Sequence, residues 1–138
     1  MMAPSCHVRI QVIIGVVICA CAQVLHAEPA RPTLMPKPVQ VTIAEGHFTI
    51  TPATKVHYTA GDPRLVDAAE YLAGRLSLAF GKQITAAQAA GATNPDGAIL
   101  LTTAGADAKL GAEGYSLTIA KSGVTIRASK AAGAFYGG

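Results

Sequence analysis

The stretch Glu113–Gly138, EGYSLTIAKSGVTIRASKAAGAFYGG, decides the fold of this chain. It contains two runs of alternating apolar and polar residues, Tyr115–Ala120 and Val124–Ser129, on either side of a short polar connection. Alternation with a period of two is typical of a half-buried strand, so the stretch predicts a β-hairpin with one apolar face. We expect Gly123 to supply the left-handed backbone geometry of the turn. The small-residue segment Ala131–Tyr136 then predicts the start of a helix.

Three further strand regions precede this hairpin. Alternating residues in 39–44 and 48–51 predict a first hairpin with Gly46 at its turn. The short β-prone segment Lys55–Thr59 would extend the same sheet. Residues Ala98–Thr102 form an apolar run without alternation, which predicts a central strand buried on both faces.

The clearest helix signal lies between Asp62 and Gly81. Asp62 is a suitable N-cap, Pro63 suits the first helical position, and Gly81 is a typical terminator. Apolar residues recur between these ends at spacings of three and four, namely Leu65, Ala69, Leu72, Leu76 and Phe80. This pattern predicts one apolar stripe that packs on the sheet.

Residues 82–95 are ambiguous between a weak helix and a loop. We expect an extended piece at Gln83–Thr85 and irregular structure beyond it, because Gly91 and Pro95 interrupt a long helix. Together these elements predict an α+β domain with a single, mostly antiparallel sheet and helices packed on one face.

Composition indicates one globular domain with a real core. The 138 residues are 51% hydrophobic and 14% charged, which excludes a disordered chain. The formal net charge is only +3, and its Lys and Arg residues are dispersed. We therefore expect no nucleic-acid partner.

The N-terminus has the pattern of a secretory leader. An apolar run, Ile10–Ala22, follows His7 and Arg9 and is too short for a comfortable membrane span. We predict a signal peptide at residues 1–22; cleavage at residue 27 and a lipoprotein leader of residues 1–20 are the alternatives. A Pro-rich linker at residues 23–38 would then lead into a domain at residues 39–138.

All three cysteines, Cys6, Cys19 and Cys21, lie in the predicted leader. The domain should therefore be stable without a disulfide. We expect an exported protein, periplasmic or secreted. A membrane attachment, as an outer-membrane lipoprotein, is expected only if Cys21 is lipidated.

The titratable residues predict no catalytic or metal site. His47 and His57 lie ten residues apart without a Cys or an HExxH motif, so exposed strand or turn positions are the better interpretation. The eight acids are Glu28, Glu45, Asp62, Asp67, Glu70, Asp96, Asp107 and Glu113. None is adjacent to another, which argues against a general acid/base pair.

Other motifs are also missing from the sequence. No serine lies in a G-x-S-x-G elbow, and the glycines form no phosphate-binding loop. Four tyrosines would stack on sugar rings if they shared an open surface, namely Tyr58, Tyr71, Tyr115 and Tyr136. For Tyr115 we favour packing in the core or an interface. We predict no catalytic, cofactor-binding or metal-binding residue and no cofactor.

Several segments nevertheless carry a family resemblance. They are Leu34-Met35-Pro36-Lys37-Pro38, Gly46–Ile50, Glu113–Ile119, Val124–Ala128 and Ala132–Gly137. In this order they resemble the N-terminal domain of bacterial β-N-acetylhexosaminidases (chitobiases), which are family 20 glycoside hydrolases. The closing series EGYxLxI, VxIRA and GxFYG is the specific part.

The resemblance implies a parent enzyme that removes terminal N-acetylhexosamine from chitooligosaccharides or glycans. In this family a (β/α)₈ barrel follows the domain and carries an Asp-Glu pair, and the substrate's 2-acetamido group replaces an enzyme nucleophile. The present sequence contains no Asp-Glu dipeptide and ends at Gly138. We therefore expect a fragment that is truncated at the junction to the barrel and inactive alone.

Two functional hypotheses follow from these observations. In the first, the domain stabilises the missing C-terminal barrel of the same polypeptide, which would bind the glycans. In the second, it is a stand-alone exported module that binds a glycan or a protein. Under the first hypothesis we expect the apolar residues near Phe135 and Tyr136 to remain uncovered and prone to association.

Overall fold

The structure, a computed structural model, describes residue 34 and residues 37–138. The predicted leader and most of the predicted linker lie outside the described residues. The chain divides into two compact units, residues 1–43 and residues 44–138. The described residues of the first unit contain no helix or strand. All the elements below belong to the second unit.

The second unit contains five strands, two α-helices and one 3-10 turn. The elements are β1 (Val56–Tyr58), α1 (Arg64–Phe80), β2 (Ala86–Gln88), β3 (Ala98–Thr102), a 3-10 turn (Ala108–Leu110), β4 (Tyr115–Ala120), β5 (Gly123–Ala128) and α2 (Ala131–Gly137). Each helix and strand lies at or within a few residues of a predicted element, whereas the 3-10 turn was not predicted. The extended piece predicted at Gln83–Thr85 is displaced to β2.

The prediction of a first hairpin is wrong. Residues 37–55 contain no strand. Within the second unit, Phe48 and Ile50 instead pack as half-buried side chains on the core. A segment with alternating apolar residues can therefore pack individual side chains on the core without forming backbone hydrogen bonds to a neighbouring strand.

The five strands form one mixed sheet in the order β2-β1-β3-β5-β4. β1 is parallel to β2 and to β3, β3 is parallel to β5, and only β4 and β5 are antiparallel. The prediction of a mostly antiparallel sheet is therefore wrong. The α1 crossover makes β2 parallel to β1, and β3 and β5 are parallel to their neighbours because each is also reached by a connection that returns across the sheet.

Helix α1 begins and ends beside the predicted residues, and Pro63, which precedes its first residue Arg64, already has helical backbone angles. The Asp62 carboxylate accepts a hydrogen bond from the Arg64 backbone N–H at 3.0 Å, and Gly81 ends the helix in the left-handed conformation. The buried stripe consists of Leu65, Ala68, Ala69, Leu72 and Ala73. Phe80 was predicted on this stripe but is 50% exposed, because it is the last helical residue.

The core lies between the two helices and one face of the sheet. From the sheet, the core contains Val56, Ile99, Leu101 and Ile126, and α2 adds Ala131 and Ala134. All five residues of β3 are buried, and β3 lies between β1 and β5. The predicted central strand is therefore confirmed.

The closing hairpin forms as predicted, but two of its details differ. Gly123 does not have a positive φ and is the first residue of β5. A Cβ at Gly123 would lie 2.7 Å from the Ala98 carbonyl oxygen, so this position favours glycine because the backbone of β3 is close. In addition, all of β4 is exposed, so its apolar row does not enter the core.

Candidate interaction surface

Four aromatic side chains lie on the helix side of the second unit. They are Tyr71 of α1, Tyr115 of β4, and Phe135 and Tyr136 of α2, and they are between 38% and 61% exposed. The rings of Tyr71 and Phe135 are 4.8 Å apart, and those of Phe135 and Tyr136 are 6.1 Å apart. We call these four residues the aromatic surface.

Close packing of α2 on the sheet positions this surface. A Cβ at Gly137 would lie 2.6 Å from Ile126 Cγ2 and 2.9 Å from Tyr115 Cδ2. A Cβ at Gly133 would collide with the Gly114 carbonyl oxygen. Glycine at both positions therefore lets α2 approach the hairpin, and the aromatic residues between them remain on the outer side of the helix.

Arg75 holds the ring of Tyr71 at the border of the aromatic surface. Its Nη1 donates a hydrogen bond to the Tyr71 hydroxyl at 3.3 Å. Its guanidinium carbon lies 5.9 Å from the centre of the same ring, within the range of a cation–π contact. The surface is therefore apolar in its middle and cationic at one edge.

An open cleft of about 230 Å³ adjoins the aromatic surface. It is lined by Arg64, Asp67, Ala68, Ala131, Ala132 and Phe135. These residues come from the N-terminal half of α1 and from α2. The cleft therefore combines one aromatic ring with one charged group of each sign.

An ion pair at the start of α1 sets the charge beside this cleft. Arg64 Nη2 lies 3.1 Å from Asp62 Oδ2, and Arg64 Nε donates to Asp62 Oδ1 at 3.2 Å. The hydrogen bonds from Arg64 hold the pKa of the Asp62 carboxyl below its usual value. The same contact raises the pKa of the Arg64 guanidinium, so both groups are charged near neutral pH.

The structure separates the two histidines that the sequence analysis considered together. His47 is exposed in the segment without a strand. His57 was predicted to be exposed but is half-buried on β1, where its Nδ1 is buried without a hydrogen-bond partner among the described residues. Within residue 34 and residues 37–138, no three His, Cys, Asp or Glu side chains gather as metal ligands.

Two of the acids accept backbone hydrogen bonds, two are exposed on α1, and one tyrosine packs on the core. Asp62 and Asp107 accept hydrogen bonds from backbone N–H groups at the starts of α1 and the 3-10 turn, while Asp67 and Glu70 are exposed on α1 as expected. Tyr58 packs against the core and is not part of the aromatic surface.

Sequence reasoning missed the pairing of Tyr71 with Phe135. The periodicity of α1 places Tyr71 off the buried stripe, but nothing in the sequence brings it to α2.

In the described part of the chain, no helix is both long and apolar enough to cross a membrane.

Comparison with known proteins finds one matching family model and similar solved structures. The family model described as "Glycosyl hydrolase family 20, domain 2" matches residues 31–138. An N-acetyl-β-hexosaminidase from Streptomyces plicatus, solved in complex with Thio-NAglucal, is 36% identical over 79% of this chain, with a TM-score of 0.62. The GH20 β-N-acetylhexosaminidase from Streptomyces coelicolor A3(2) is 33% identical over 72% of this chain, with a TM-score of 0.58.

The matched region is a small part of those enzymes. It covers 21% of the S. plicatus chain and 19% of the S. coelicolor chain. A search of curated protein sequences found no significant match. The family model spans most of the present chain, and the predicted resemblance to family 20 is confirmed. The chain therefore belongs to glycosyl hydrolase family 20, and residues 31–138 correspond to domain 2 of that family.

Proposed function

We propose that this chain is the exported, non-catalytic N-terminal domain of a β-N-acetylhexosaminidase. The observation that carries the proposal is the match of residues 31–138 to domain 2 of family 20. Both solved relatives have names that state this activity. The parent enzyme would remove terminal N-acetylhexosamine residues from chitooligosaccharides or glycans.

The role of the domain in this proposal is to pack on the catalytic barrel. The aromatic surface supports this role, because Phe135 and Tyr71 stack on each other yet each leaves more than two-fifths of its area exposed. Exposed, contiguous aromatic groups indicate a surface that another structure covers. The barrel supplies the catalytic groups, and the domain stabilises it.

A domain replacement tests this role. The chain would replace the corresponding domain of the S. plicatus enzyme, and hydrolysis of p-nitrophenyl N-acetylglucosaminide would be measured. We expect an active chimera and no p-nitrophenol release from the present chain alone. The Phe135→Asp chimera should lose thermal stability and activity, because a carboxylate would be buried in the interface.

Phe80→Asp is the matched control. Phe80, like Phe135, is a half-exposed aromatic residue, but it lies at the end of α1. It lies nine residues from Tyr71, which is half a turn around the helix. Release of p-nitrophenol by the purified chain would contradict the non-catalytic role. Equal effects of the two Asp substitutions would contradict the packing role.

A glycan-binding module is the second candidate function. It is favoured by the open cleft, where the Phe135 ring lies beside the charged groups of Arg64 and Asp67. Sugars bind to such combinations of an aromatic face and polar groups. Calorimetry with N-acetylglucosamine oligomers discriminates the two functions. Binding that Phe135→Ala abolishes would support the module, and absence of heat would support the packing domain.

Export also belongs to the proposal and rests on the sequence pattern of residues 1–22. Expression in a bacterial host with separation of cytoplasm, periplasm and membranes tests it. We expect a processed chain in the periplasm or medium. Recovery in the membrane fraction that Cys21→Ser abolishes would indicate the lipoprotein route instead.

A further inference from the structure

Strand β4 is an unprotected edge of the sheet. In the part of the chain that the structure describes it pairs only with β5, and all six of its residues are exposed. The outward-facing N–H and C=O groups of an edge strand are a template for pairing with another strand. The opposite edge, β2, has only three residues and offers a much shorter template.

The devices that usually protect an edge are missing from β4. Its sequence, Tyr115–Ala120, contains no proline and no charged residue. Its register with β5 is continuous over six residue pairs, from Tyr115 opposite Ala128 to Ala120 opposite Gly123, so no bulge bends it. Within β4, therefore, no proline, charged residue or bulge opposes pairing with another strand.

The apolar residues of β4 are arranged symmetrically about Leu117. Tyr115 and Ile119 lie two positions to either side, and all three side chains lie on the helix side, opposite Ala128, Ile126 and Val124 of β5. An antiparallel copy centred on Leu117 would place Leu117 against Leu117, and Tyr115 against Ile119. A shift by one residue would put the apolar residues of the two copies on opposite faces of the joined sheet, so this register is preferred.

The charges at the two ends of β4 have the same symmetry. Glu113 lies two residues before Tyr115, and Lys121 lies two residues after Ile119. Both are exposed. In the register centred on Leu117, Glu113 of each copy falls opposite Lys121 of the other. The edge is therefore complementary to itself in both its apolar residues and its charges.

We propose that two copies of this chain pair through β4, antiparallel, with a two-fold axis at Leu117. A second copy is the occupant because the arrangement of charge and apolarity is self-complementary, as an isologous interface requires. Joining two edges buries less surface than a standard interface, so the dimer is weak, with a Kd on the order of 10–100 µM. The proposal does not rest on packing on a barrel, because Tyr115 is the one residue of the aromatic surface that belongs to β4.

The mass of the chain in solution tests the proposal. Sedimentation of the full chain, purified as the host exports it, should show a reversible shift from one to two copies with increasing concentration. Leu117→Lys places two ammonium groups together at the axis and should raise Kd more than about tenfold. Thr118→Lys adds the same charge on the polar face and should change Kd little. Circular dichroism verifies that both variants are folded.

Charge reversal provides a second test on exposed residues that folding does not need. Glu113→Lys and Lys121→Glu should each raise Kd about tenfold, because two like-charged contacts replace two ion pairs. The double variant restores opposite charges and should return Kd to the original value. Glu70→Lys, an exposed change of equal charge on α1, is the control.

Three results would overturn the proposal. The first is a monomer at all concentrations up to about 1 mM, since pairing of the predicted strength would be visible there. The second is a dimer whose Kd is unchanged by both Leu117→Lys and the charge reversals. The third is a dimer that Phe135→Ser abolishes but the β4 variants do not, which would assign the contact to the aromatic surface.

Discussion

At the scale of single residues, two glycines have opposite environments. A Cβ at Gly123 would lie 2.7 Å from both the Ala98 carbonyl oxygen and Asn94 Nδ2. A Cβ at Gly74, inside α1, would meet nothing within 4 Å. We expect Gly123→Ala to lower the free energy of unfolding by about 2 kcal/mol through overpacking. Gly74→Ala should raise it by about 1 kcal/mol through better helix propensity.

Urea denaturation of the two variants and the parent chain measures both effects. The two variants control for each other, because both add one methyl group and only the surroundings of that group differ. A neutral Gly123→Ala would mean that β3 and the Asn94 side chain can shift away from the added methyl. A destabilising Gly74→Ala would mean that the exposed side of α1 is more crowded than the structure shows.

Asp62 links stability to pH. Its pKa is lowered from the ordinary 3.8 by its hydrogen bonds with Arg64, so its contribution to stability is fully present above the unfolded pKa. That contribution is lost as the pH falls from about 3.8 through the lower folded pKa. Asp62→Asn keeps an oxygen that can cap the helix but cannot titrate, so this part of the pH dependence should disappear.

The measurement is the free energy of unfolding at low salt between about pH 5 and about pH 2, in parent and variant. Both groups are near the surface, and salt should weaken the difference. Parallel pH curves for the two chains would show that the ion pair does not distinguish the folded from the unfolded state.

At the scale of elements, one serine fixes the connection between α1 and β2. Ser77 Oγ accepts a hydrogen bond from the Ile84 backbone N–H at 2.8 Å, and it is 2.7 Å from the Ala73 carbonyl oxygen to which it donates. Ile84 is buried. Ser77→Ala would leave a buried N–H without its partner, at a cost of about 2 kcal/mol.

Thermal unfolding and hydrogen exchange at Ile84 check this expectation. The variant should have a lower Tm and a faster exchange of the Ile84 amide. Ser122→Ala is the control, because the exposed Ser122 hydroxyl makes no hydrogen bond within the described residues. Slow Ile84 exchange in Ser77→Ala would mean that another group accepts this hydrogen bond.

The elements that the sequence predicts best are those with local signals. Asp62 and Gly81 mark the ends of α1 because capping depends on neighbouring residues only. The closing hairpin has alternation in both strands and a short connection, so its pairing is also local. Residues 39–50 have the same alternation, yet they form no strand, and Phe48 and Ile50 pack on the core as single side chains.

The candidate surface was harder to predict than the elements. Tyr71 and Phe135 are far apart in sequence, and their 4.8 Å stack depends on how α2 packs beside α1. That packing depends in turn on Gly133 and Gly137, whose close contacts are made with the hairpin. From the sequence alone, glycine at these positions predicts only a low helix propensity. The structure shows that the two glycines let α2 lie close to the hairpin.

At the scale of the whole molecule, strand direction is a long-range property. The β1–β2 and β3–β5 pairings are parallel because α1 and the segment containing β4 intervene in the chain. Alternation within a strand is the same for parallel and antiparallel neighbours, so the sequence pattern cannot distinguish them. The buried run of β3 was the one indication, since strands in parallel sheets have continuous apolar character.

The separation of the two outer surfaces is testable on the whole molecule. An apolar dye such as ANS should bind the aromatic surface, and Phe135→Ser should lower its fluorescence by about half, since this ring lies between Tyr71 and Tyr136. Phe80→Ser is the matched control and should change dye binding little. If Phe135→Ser leaves the fluorescence unchanged, the bound dye lies elsewhere and the aromatic surface is not the exposed apolar region of the domain. If it lowers the fluorescence without changing the mass of the chain in solution, the Phe135 part of the aromatic surface is not needed for pairing through β4, although Tyr115 belongs to both.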